Sequence, residues 1–197
     1  MMLSSLPLPL RDIVFGQMAL VACCVVYLAW WCIAFRPGVV SGGAMGGVLL
    51  LLTMVLAGVG IWLDAGGICA LWTGSAGRAA GCIFLVGIVA YPVLLLLTVK
   101  VLHRVPTTEL LLIVAWAVLE AMVVAVLAFS GLAADGAALS CFVAIVLATV
   151  IGLICYLVYY HLAPWPAFYC GMVPLGLDGV TMAFVVWRLG IFFLPCQ

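Results

Sequence analysis

Two carboxylates stand where a carboxylate is expensive. Glu120 lies within ELLLIVAWAVLEAMVVAVL and Asp178 within YCGMVPLGLDGVTMAFVV, both near the middle of long apolar runs. An ionisable side chain at the centre of a bilayer costs roughly 2.5–3.5 kcal/mol on insertion scales, so such residues face a bundle interior and serve a purpose there. No lysine or arginine lies at the same depth in either run. Without a cation beside it, each acid is most cheaply carried with its proton on, or with a proton or bound cation shared between the two. That is the chemistry of ion, proton or amine carriage.

Several residues are placed to assist. Trp116 precedes Glu120 by four positions and falls on its helix face, continuing a stripe that includes Glu109 and Ile113. Gln17, one turn into the first apolar run, could face the same cavity. Tyr91, followed by Pro92, offers a hydroxyl and a kink. Around Asp178, Gly171, Pro174, Gly176 and Gly179 crowd into nine residues, which predicts an interrupted helix. A broken helix carrying an acid at the midplane is one way secondary transporters build an ion or substrate site.

Other chemistries find less support. His103, His161 and Glu109 fall toward one side of the membrane and could hold a metal with an open position. A Schiff-base pigment would need a buried lysine, and the only lysine, Lys100, stands at a run's end. No C-x-x-C, G-x-S-x-G, H-E-x-x-H or G-x-x-x-x-G-K-[ST] motif occurs. No metal and no cofactor is expected on these grounds.

The elements that must hold these residues follow from composition. Of 197 residues, 70% are hydrophobic and 6% charged. Mean hydropathy is +1.52. Soluble domains sit near ~45–50% apolar and ~25% charged, so a water-soluble fold is excluded. Six basic residues cannot neutralise a row of phosphates, which excludes a nucleic-acid partner. A ~30 Å hydrocarbon core takes about 20 helical residues. Six runs qualify: 13–35, 44–63, 79–99, 108–129, 138–160 and 167–187. Helix is dictated, since lipid leaves no partner for an unpaired backbone group. The fold class is therefore all-α, a polytopic integral membrane bundle of six transmembrane helices forming one unit over residues 1–197. The first run is too long for the apolar core of a cleaved leader and is read as a span.

Trp30, Trp31, Trp72, Trp165 and Trp187 fall near run ends, where an aromatic belt is expected, and Tyr156, Tyr159 and Tyr160 read the same way. Gly42 and Gly46, Gly43 and Gly47, and Gly77 and Gly81 have the spacing that lets helices approach closely, within the bundle or in a homo-oligomer. Arg11, Arg78 and Arg188 balance Arg36, Lys100 and Arg104, so basic count does not orient the chain.

The function expected is transport or channelling of a small solute, ion or proton by midplane carboxylates in a shared polar cavity, in the plasma membrane. The partners are lipid and a small solute or cation. A non-catalytic scaffold subunit of a larger complex, and a membrane enzyme using the His/Glu side, are the alternatives.

Overall fold

The computed structural model describes residues 7–38, 43–101, 103, 108–133 and 135–193. Its helices are α1 (Leu8–Ala34), α2 (Gly43–Ala70), α3 (Gly74–Lys100), α4 (Thr108–Phe129), α5 (Asp135–Tyr159) and α6 (Pro164–Phe193). The shortest has 22 residues and the longest 30. At 1.5 Å per residue these run roughly 33–45 Å, enough to cross the hydrocarbon layer. All six are apolar enough to do so, and no strand occurs among the described residues. The protein is a multi-pass membrane protein.

Large apolar side chains cover the outside, among them Leu51, Met54 and Trp62 on α2 and Phe84 and Val86 on α3. In water such a surface would aggregate; in lipid it is the solvated face. Neighbours in space run α2, α1, α6, α5, α4, α3, and α4 also reaches across to α2 and α6. The main core gathers at the end where α1, α3 and α5 begin. It joins Leu10, Ile13, Ile68, Ala80, Val123, Leu127, Ile145 and Val185. A smaller cluster of Leu110, Ile113 and Tyr156 occupies the opposite end. One end of the bundle is therefore densely filled and the other is not.

Three sequence expectations change. The second span does not stop at Leu63; α2 continues through Asp64 to Ala70. A charge just after an apolar run reads as the water boundary, but the Asp64 carboxyl is buried inside the bundle and accepts a hydrogen bond there through Oδ2.

The sixth span is not interrupted: α6 is continuous across Pro174, and Gly171, Gly176 and Gly179 all lie in regular helix. A proline removes one backbone donor, a loss that a long helix in lipid can absorb. Two of the glycines instead let α6 approach α1. A Cβ on Gly171 would overlap the Trp31 ring, and one on Gly179 would come 3.2 Å from Cys24 Cβ.

Third, Trp31 and Tyr156 are not belt residues. Both are buried, and Trp31 Nε1 donates to the Phe168 carbonyl at 3.2 Å. Of the glycines with close-approach spacing, Gly46 is buried beside Trp30 of α1, Gly77 and Gly81 pack on Trp72, Gly43 and Gly47 meet nothing within 4 Å, and Gly42 lies outside the described residues.

The α1–α6 seam yields a prediction. In Gly171→Ala the new methyl meets a tryptophan ring held by its own hydrogen bond, with Trp31 Cη2 and Cε2 at 3.0 and 3.1 Å. Overpacking of this kind costs about 1–3 kcal/mol. The variant's unfolding midpoint in detergent should fall accordingly, while Gly176→Ala, which meets nothing within 4 Å, should unfold like the parent.

Candidate functional site: a buried carboxyl cluster and an aromatic cleft

Three helices bring a polar cluster together in the bundle interior. On α1 the buried stripe is Leu10, Ile13, Gln17 and Leu20, a helical period that turns Gln17 inward. On α2 the buried residues Gly46, Thr53, Gly60 and Gly67 recur every seven positions, and Asp64 lies on the same stripe, four after Gly60. On α4 the inward face runs Ile113, Glu120, Val123, Val124 and Leu127.

Small residues on α2 let its backbone approach α1 closely. A Cβ on Gly60 would come 2.6 Å from Leu20 Cγ and 3.0 Å from the Gly16 carbonyl oxygen. Gly16 in turn leaves the space that the Asp64 carboxyl occupies, since a Cβ there would overlap Asp64 Oδ1.

Gln17, Asp64 and Glu120 are each 0% exposed. Gln17 Nε2 donates one hydrogen to Asp64 Oδ2 at 2.9 Å and the other to Glu120 Oε1 at 2.8 Å. Both amide hydrogens are thereby used, and one neutral side chain links two acids from different helices. Gln17 Oε1, Asp64 Oδ1 and Glu120 Oε2 remain buried without a partner. Buried polar atoms normally find partners, and exceptions call for an explanation such as a proton or water. Three acceptors around two acids and an amide form a group that can take up protons.

Asp178 is elsewhere. It lies at the floor of an open cleft between α1, α4, α5 and α6, at the end where α1 and α5 finish and α4 and α6 begin. Asp178 is fourteen residues from Pro164, so roughly 21 Å of α6 lines the descent. Tyr27, Trp31, Glu109, Tyr156, Tyr159 and Tyr160 supply most of the polar and aromatic wall. No lysine, arginine or histidine lines it among the described residues.

Glu120 and Gln17 do not line this cleft. The neighbouring Gly179 packs on Cys24, two turns along α1 from Gln17. About 10 Å of α1 therefore separates the floor of the cleft from the amide. Glu120 and Asp178 nevertheless lie within electrostatic range of each other.

The remaining sequence candidates distribute as follows. Trp116 packs against the main core with its indole N–H buried and unpartnered, outside the cleft lining. Tyr91 packs beside Leu110, Ile113 and Tyr156, also outside it. Glu109 enters the cleft with one carboxyl oxygen buried and unpartnered, whereas His103 and His161 are absent from its lining. Among the described residues no three His, Cys, Asp or Glu side chains converge to hold a metal.

Sequence reasoning missed Asp64, which it took for the end of a span. The glycine stripe of α2, on which Asp64 falls, carried the signal. It also missed the cleft's aromatic wall, because the tyrosines that form it sit at a helix end where a lipid interface expects them.

The chain matches no known protein-family model, no curated protein and no solved structure.

Proposed function

We propose that the protein is a small membrane transporter that moves a small cation in exchange for protons held on its buried carboxyls, working in the plasma membrane where a proton gradient can drive it. The observation that carries this reading is the Gln17–Asp64–Glu120 cluster, in which two fully buried acids share one uncharged partner. Two negative charges there, with no cation beside them among the described residues, are costly to hold together, so proton occupancy is the cheap response. The cleft to Asp178 supports an entrance from one face, while the filled core at the other end supports closure there.

In this reading a proton leaving Asp178 or Glu120 charges the interior and draws a cation in, and cation release restores the proton. Exchange of access between the two faces then falls to movement along the α1–α6 seam, where Gly171 and Gly179 bring the two helices close together.

Reconstituted proteoliposomes carrying an entrapped pH dye provide the test, under imposed gradients of sodium, potassium and a panel of organic amines. Protein-dependent proton flux should accompany at least one of them. It should fall about tenfold or more in Glu120→Gln and in Asp178→Asn, each of which keeps shape and removes the titrating oxygen. Undiminished flux in both variants, or no flux above protein-free liposomes with any gradient, overturns the reading. In the second case, co-purification of another membrane subunit that is lost in Asp178→Asn would identify a scaffold instead.

A further inference from the structure

We propose that the cleft is a binding site for lipophilic organic cations, an apolar body bearing a positive head. This deepens the transport reading by naming its substrate class. Three observations on the cleft converge.

Its charged groups are Asp178 at the floor and Glu109 toward the mouth, with no basic side chain lining it among the described residues, so its charge complements a cation alone.

Its wall is a chain of touching aromatic rings. Trp31 meets Tyr159 edge-on with ring centroids 6.5 Å apart, Tyr159 meets Tyr160 at 5.1 Å, and Tyr160 meets Tyr156 at 6.4 Å. Ring faces attract cations, and the attraction grows when water is excluded. Such a wall also suits an apolar body, which an inorganic ion lacks.

Finally, two residues that line the cleft each carry a buried oxygen without a partner: the hydroxyl of Tyr156, a residue 6% exposed, and one carboxyl oxygen of Glu109. Both can accept hydrogen bonds from amino groups on a ligand. A lipid acyl chain would fill the apolar part but leave these atoms and both acids unanswered.

Equilibrium binding to the detergent-purified full chain tests the site without requiring transport. The probe is ethidium, a permanent cation with two amino groups, followed by fluorescence anisotropy against protein-free micelles. The comparator is 6-phenylphenanthridine, a neutral ring system of the same shape. Ethidium should bind saturably at one site per chain, and the neutral compound should compete at least tenfold more weakly. Asp178→Asn should weaken ethidium about tenfold and Glu109→Gln by a smaller factor.

Equal competition by the neutral compound, or unchanged ethidium affinity in both variants, makes the cleft a merely apolar groove and overturns the proposal. The comparison of the two ligands uses the parent protein, so it decides even if a variant fails to fold. Ethidium binding without any proton flux in liposomes would leave this site standing and sink the transport reading. Proton flux without ethidium binding would do the reverse.

Discussion

Replacing Gly16 with alanine is expected to be strongly damaging for a single-methyl change. The added Cβ would overlap Asp64 Oδ1 and stand 2.8 Å from Asp64 Cγ and 2.9 Å from the Asp64 backbone nitrogen. A side chain can rotate out of the way, but a backbone nitrogen inside α2 cannot. The two helices must therefore separate, which stretches the 2.9 Å bond from Gln17 to Asp64. Overpacking costs about 1–3 kcal/mol where the neighbour can yield, and this contact belongs at the upper end because one of its three atoms is a backbone nitrogen.

A drop of that size in the unfolding midpoint should be measurable by detergent titration. The nearby Gly66→Ala, which meets nothing within 4 Å, should leave the midpoint unchanged. Equal stability of Gly16→Ala and the parent would show that the α1–α2 seam is looser than described.

Gln17→Leu is the second large effect. Leucine fills similar space, but both acids lose the Gln17 donor while remaining fully buried. Hydrogen bonds between membrane helices average about 0.6 kcal/mol and reach about 1.7, so losing two predicts a cost of about 1–3 kcal/mol. The diagnostic comparison is a triple variant, Gln17→Leu with Asp64→Leu and Glu120→Leu. Stranding a polar group is costly, whereas replacing a whole network by apolar groups is often neutral or stabilising.

The triple variant should therefore recover most of the stability lost in Gln17→Leu, and it should carry no proton flux. That pattern would separate a functional cluster from one kept for stability alone. A triple variant less stable than the single would mean that the cluster holds the three helices together.

The sequence alone was informative about the acids and less so about their partners. Glu120 and Asp178 announced themselves because an apolar run makes any carboxylate conspicuous. Gln17, one turn into the first run, read equally well as a cavity residue or an interface residue, and its role as a bridge to residues 47 and 103 positions away was not visible. Asp64 was hidden by the same rule that exposed Glu120: near the end of an apolar run, a charge reads as the boundary with water. Pro174 and the glycines around it read as a break because both residue types weaken helices in isolation. In the bundle, Gly171 and Gly179 are used for their missing side chains, and the helix persists.

Sequence by itself determined that the chain is six membrane-crossing helices with acids at depth. Lipid offers no hydrogen-bond partner, so an apolar run of sufficient length must close its backbone bonds within itself, and a one-dimensional pattern suffices to show it. Only the tertiary structure decided which acids meet, that one glutamine joins two of them, and that Asp178 faces an aromatic cleft rather than the cluster. Those facts depend on which helix faces pack, and between helices in lipid that choice rests on small residues and scattered polar contacts rather than on hydrophobic periodicity.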